Sequence, residues 1–117
     1  MKTIIAGSRS ITDKEVVLRA VKESGFNITE VVSGKAPGVD TLGEEIAEDM
    51  GVPVKPFPAN WTKYGPAAGF LRNSEMAEYA DVLIAVWDGE SPGTADMIHK
   101  MGKRKKTVFV LKEKKNE

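Results

Sequence analysis

The sequence contains no cysteine and a single histidine, His99. Disulfides and thiolate metal sites are thereby excluded, and only carboxylates remain as ligands for a metal; none is expected. Nor is there charge of one sign to spare. Lys and Arg total 17, Asp and Glu total 17, and the net charge is zero. Such a chain has no general electrostatic pull toward a nucleic-acid backbone, so nucleic acid is not the expected partner. No apolar run approaches the roughly 20 residues that a membrane helix needs. The opening "MKTIIAGS" is broken by polar residues too early for a secretory leader. Together these absences give the expectation of a cytoplasmic protein without membrane contact.

What is present is a globular composition, 41% hydrophobic and 29% charged, in alternating strand-like and helix-like runs. The strands expected are Lys2–Gly7, Thr29–Gly34, Val52–Phe57, Val82–Trp87 and Thr107–Lys112. The two prolines of "VPVKPF" place the third at a sheet edge. The apolar "VLIAVW" places the fourth in the sheet interior. Thr12 and Glu15 have the spacing of a capping box for a first helix. Asp40 or Thr41 is expected to cap a second, and further helices are expected near Ala68–Ala80 and Thr94–Met101. Repeated strand–helix steps within one domain point to an α/β fold with a doubly wound parallel sheet. Residues 1–112 form that domain, with 113–117 expected to be a frayed tail.

In such sheets ligands bind beyond the carboxyl ends of the strands. The loops divide accordingly. Those leaving strands, "GSRSITD", "GKAPGVD", "PANWTKYGPAAG" and "DGESPGT", are long and carry glycine, hydroxyl and aromatic residues. Those entering strands, "SGFNI", "MGVP", "YAD" and "GKRKK", are short or basic. Gly7 permits close backbone approach, and Arg9 offers a planar fork suited to phosphate. Gly93 and Thr94 open a helix whose free N–H groups favour an anion. Trp61 can stack on a base or fill a subunit interface. Pro92 serves equally as a turn former, and "KRKK" (Lys103–Lys106) reads as a charged face at a helix C-terminus. Neither the P-loop spacing nor the dinucleotide fingerprint occurs, so any phosphate is cradled in another way.

The segments "AGSRSITD", "VVSGKAPGVDTLGEEIAEDMGV", "FPANW", "AAGFLRNSEMAEYADVLIAVWDGESPGTADMI" and "VFVL" together resemble the YspA-like (cpYpsA-related) branch of the SLOG superfamily. That superfamily also contains the LOG phosphoribohydrolases and Smf/DprA. The resemblance implies a Rossmann-like sheet of about five strands in the order 3-2-1-4-5. It also implies a pocket for a nucleotide or a phosphoribosyl derivative. It assigns to that pocket Gly7, Ser8 and Arg9 after the first strand. Around the second strand it assigns Ser33, Gly34, Gly38 and Asp40. Farther along it assigns Arg72 and Asn73, then Ser91, Gly93 and Thr94. No cofactor is implied, and the dimers formed by LOG relatives suggest a homodimer.

Against the LOG pattern, Arg72 and Met76 match, while Asn73 stands where LOG enzymes have lysine. Gly93 and Thr94 match the Gly-Thr, but Met97 occupies the glutamate position. A thioether cannot move a proton as a carboxylate can. Asp96 is one helix step away, turned by roughly 100°, and Asp40, Glu44 and Asp88 are the acids left in other loops. The reading that leads is a binding or sensing module for a nucleotide-derived ligand. The alternatives are an N-glycosidic hydrolase of the LOG kind and, on "SGKAPGVDTLGEEIA", a single-strand nucleic-acid binder like Smf/DprA.

Overall fold

The computed structural model describes residues 1–113. Strands β1 (Lys2–Gly7), β2 (Glu30–Ser33), β3 (Val54–Pro56), β4 (Val82–Trp87) and β5 (Thr107–Lys112) form one all-parallel sheet in the order β3-β2-β1-β4-β5. The helices are α1 (Lys14–Ser24), α2 (Val39–Met50), α3 (Trp61–Tyr64), α4 (Ala68–Tyr79) and α5 (Pro92–Lys103), with a 3-10 turn at Gly65–Ala67 before α4. The expected α/β architecture and strand order are both present. β1 is central, and β4 lies between β1 and β5.

The period of two along the strands sorts the core into two layers. Ile5, Val31, Ile84 and Val86 face α1 and α2, where they meet Val17, Ala20, Val39 and Ile46. Ile4, Ala6, Val32 and Leu83 face α4 and α5, where they meet Met76, Ala77, Met97 and Met101. Ile4, Ile5, Leu83 and Ile84 are wholly buried. Each side chain of this kind contributes roughly 1.5–3 kcal/mol through removal from water.

Several local readings need correction. α1 is capped by Asp13, not Thr12, because the Asp13 carboxylate accepts the Glu15 N–H at 3.0 Å. α2 starts at Val39 behind Gly38, so neither Asp40 nor Thr41 is its N-cap. β3 is confined to Val54–Pro56, starting after Pro53 and ending on Pro56, neither of which has a backbone donor. The basic "KRKK" segment completes helix ends. Lys106 Nζ donates to the carbonyls of Ala77, Glu78 and Ala80 at 2.7, 3.0 and 2.7 Å, and Arg104 Nε pairs with Glu78 at 2.7 Å. Glu113 still holds its place, its N–H on Trp87 O at 2.9 Å and its carboxylate 3.1 Å from Arg19. The rest of the expected frayed tail, 114–117, lies outside the described residues. No helix among the described residues is long and apolar enough to cross a membrane.

Candidate functional site

The strand order reverses between β1 and β4, and their carboxyl ends run in register, Gly7 opposite Val86. A Cβ on Gly7 would stand 1.9 Å from Val86 O and 2.9 Å from Val39 Cγ2. The close approach that this glycine permits is thus to a neighbouring strand and helix. Ser8 then joins the two loops that leave these strands. Its N–H donates to Val86 O at 3.1 Å, and its buried hydroxyl accepts the Asp88 N–H at 3.0 Å. Ser91 Oγ lies 2.9 Å from Ser8 Oγ and donates to the Asp88 carboxylate at 2.9–3.0 Å. Ser91 has one hydroxyl proton and the carboxylate takes it, so the Ser8 hydroxyl donates to Ser91. Asp88 also accepts the N–H groups of Glu90 and Ser91, each at 2.8 Å. This network sets the direction in which α5 begins.

The first turn of α5 points unpaired donors outward. Its first i→i−4 bond runs from Ala95 N–H to Ser91 O, and neither the Gly93 nor the Thr94 N–H reaches a backbone carbonyl. Pro92 has no N–H to satisfy, which suits the first helical position. On the other side of β1, Gly38 (φ +79) packs so tightly that a Cβ would lie 2.6–2.7 Å from the Ser8 and Arg9 backbone. Only glycine allows α2 to start there. Asp40, in the first turn, reaches back to accept the Ala36 N–H at 3.2 Å. Ser33 is spent on Glu44 Oε2 (2.6 Å) and on the Lys35 N–H (3.2 Å). Arg72, from α4, donates Nη1 to Gly34 O and Nε to Asn73 Oδ1. The Asn73 amide in turn holds Gly93 O at 3.1 Å and Asp96 Oδ2 at 3.0 Å, so α4 positions the start of α5.

These elements enclose a cavity of about 430 Å³, within the usual range for small-molecule sites. Of the residues expected at a site, Gly7, Arg9, Asp40, Trp61, Arg72, Asn73, Ser91, Gly93 and Thr94 line it. Ser8, Ser33, Gly34 and Gly38 do not. Ser8 and Ser33 are buried supports, Gly38 is the tight joint, and Gly34 faces a neighbouring cavity of about 410 Å³. The lining also includes residues not expected at the site, among them Ser10, Ala36, Pro66, Gly69 and Phe70. A Cβ on Gly69 would be 3.3 Å from the Trp61 ring, so the glycine accommodates the indole. Trp61, Tyr64, Phe70 and Leu71 are 51, 45, 45 and 43% exposed, an apolar rim beside the mouth. Arg9 is exposed and makes no hydrogen bond or ion pair among the described residues.

With this geometry in hand, comparison with known proteins is decisive for kinship. A family model described as the YspA, cpYpsA-related SLOG family matches residues 1–64. The chain belongs to this family. It is also similar to the Gene 61 protein of Mycobacterium phage D29, 36% identical over an alignment of 103 residues that covers 80% of this chain and 82% of that protein.

In this SLOG-family cavity the acids have distinct characters. Asp96 lies off the lining, bound to Asn73 and, at 2.7 Å, to Lys100 Nζ. Asp88 lines the cavity but is pulled down to about 2, first by the Glu90 and Ser91 N–H groups and then by the Ser91 hydroxyl. It is an anchored anion. Asp40 is pushed up to about 6 by burial, against the Ala36 N–H and Arg72, with Glu44 adding to the rise. Met97 is buried, with only 1% of its surface exposed, and contributes its thioether to the floor. Arg72 is lowered by burial, with Asp40 opposing and Arg9 adding its repulsion. Two like charges therefore face one cavity. Among the described residues no group of three His, Asp or Glu is arranged to hold a metal ion.

Proposed function

We propose that the protein binds a nucleotide or phosphoribosyl derivative at the carboxyl edge of its sheet, as a binding or sensing module. The observation that carries this reading is a convergence on one cavity. Arg9 has no protein partner, Arg72 keeps a second charge beside it, and the Gly93 and Thr94 N–H groups open the same wall. An anion there would relieve the repulsion between the arginines and satisfy a helix N-terminus. The apolar floor of Met76 and Met97, with Trp61 and Phe70 at the side, suits a base or ribose rather than a bare phosphate. Family membership supports a nucleotide-related ligand.

A second reading, hydrolysis of such a ligand, is favoured by one observation. Asp40 is a cavity-lining carboxyl held near 6, where a group can both take and give a proton around neutral pH. Binding comes first because the position of the LOG glutamate is the thioether of Met97. We also place a homodimer contact on the apolar rim of Trp61, Tyr64, Phe70 and Leu71. Light scattering that finds only monomer at every concentration would remove that contact.

A thermal-shift screen of ribonucleoside mono-, di- and triphosphates tests the main reading. At least one should raise the melting temperature while remaining intact on chromatography. Release of free base at ordinary enzyme rates would transfer the assignment to the hydrolase, and no shift with any of them would defeat both.

A further inference from the structure

The cavity of about 430 Å³ does not stand alone. A second, of about 410 Å³, lies beside it, lined by Gly34, Lys35, Pro37, Pro58 and Ala59. Arg9, Ala36, Trp61 and Arg72 line both. Each space has the size of a small-molecule site by itself, and two of the four residues common to both, Arg9 and Arg72, are arginines. The helix-start donors of Gly93 and Thr94 serve only the first space. The second has rigid, flat walls, Pro37 and Pro58 with the Trp61 ring, which suit a ring system by stacking. Its shape is held firmly. Lys35 sits at φ +62, a left-handed conformation costly for a lysine, and is fixed there by Ser33 Oγ on its N–H while Arg72 grips Gly34 O. Lys35 Nζ is turned to Glu44 at 2.8 Å, so the charge that meets the second space comes from the shared arginines.

We infer that the ligand has two ring-bearing halves joined through phosphate, with the bridge lying over Arg9 and Arg72 and one half in each cavity. This rests on the nucleotide reading of the same site and narrows it. A mononucleotide would fill the first cavity, with its phosphate between Arg9 and the start of α5, and leave the second unused. A dinucleoside pyrophosphate would use both, and its bridge would carry the charge that the paired guanidiniums match.

The test compares the adenosine, guanosine, cytidine and uridine 5′-monophosphates with their symmetrical 5′,5′-dinucleoside pyrophosphates by titration calorimetry. At least one pyrophosphate should bind 10-fold or more tightly than its own monophosphate. Ala59→Trp fills only the second cavity and should erase that advantage while leaving monophosphate affinity within about twofold. Pro37→Trp, on another wall, should do the same and guards against a folding defect in the first variant. Equal binding of the two classes to the wild type would overturn the bridged ligand and leave the nucleotide reading standing. Equal losses for both classes in the two folded variants would also overturn it. Failure of every compound to bind the folded wild type would overturn the nucleotide reading and this inference together.

Discussion

Replacing Asp40 by asparagine should stabilise the protein at neutral pH. Asp40 is 5% exposed, and burial lifts its carboxyl from 3.8 to about 6 in spite of Arg72. A folded-state value above the unfolded one means that the native protein favours the protonated acid. Stability from this group is therefore fully present below about pH 4 and is lost as pH rises through about 6. A rise from 3.8 to about 6, at about 1.4 kcal/mol for each tenfold change in proton affinity, means that the buried carboxylate costs on the order of 3 kcal/mol at pH 7. Asparagine imitates the protonated acid and keeps an oxygen for the Ala36 N–H. The variant should match wild type near pH 4 and exceed it by about 3 kcal/mol above pH 7, roughly 10 °C in melting temperature for a chain of this size. Urea denaturation of both proteins from pH 4 to 8 measures the difference directly, and other titrating groups cancel in it. A variant that is less stable at pH 7, or a difference that does not change with pH, would refute the reasoning. A carboxylate retained at such a cost is expected to serve the ligand, so the same variant should bind nucleotide more weakly.

Gly93→Val should abolish nucleotide binding with little change in melting temperature, because a Cβ there meets nothing within 4 Å and Gly93 lines the cavity; calorimetry and a thermal melt together check it. Ser8→Ala should cost about 1–3 kcal/mol in urea titrations, since it removes a buried hydroxyl that links the Asp88 N–H to Ser91 Oγ. Lys106→Met should cost about 1.5–3 kcal/mol, because three carbonyls around the end of α4 lose a charged donor; a loss below about 0.5 kcal/mol would show that water replaces the ammonium.

Much of the fold was legible because period and composition act locally. β1, β4 and β5 have the limits read from their apolar runs, and the division between long exit loops and short entry loops placed the cavity at the carboxyl edge. Helix starts were less legible. Thr12 and Asp13 are both good caps, and the choice between them depends on which side chain reaches the Glu15 N–H. α5 begins at Pro92, two residues before Thr94, because a proline at the first helical position loses nothing. In the site, Arg9, Arg72 and Gly93 were visible as chemistry. The roles of Gly7 and Gly38 were not, since the glycine signal says that something approaches closely but not whether it is a ligand or a strand. Phe70 and Ala36 lie within family-like segments but were assigned no role, Pro66 lies outside them, and all three reach the cavity through the packing of α4 and the α2 loop. Asp88 is engaged chiefly by near neighbours, the Glu90 and Ser91 N–H groups, whereas the Asn73 amide that holds Asp96 comes from a partner distant in sequence.

We propose that Arg9 and the start of α5 hold the phosphate of a nucleotide. Titration calorimetry of Arg9→Ala against wild type, with the nucleotide that most stabilises the wild type, tests it most directly. Loss of one charged hydrogen-bond partner should cost about 1.5–3 kcal/mol of binding, a 10- to 150-fold rise in Kd. The rise should shrink when the phosphate-free nucleoside is used instead. An unchanged Kd in a folded Arg9→Ala protein would contradict the account and reduce Arg9 to a solvated turn residue.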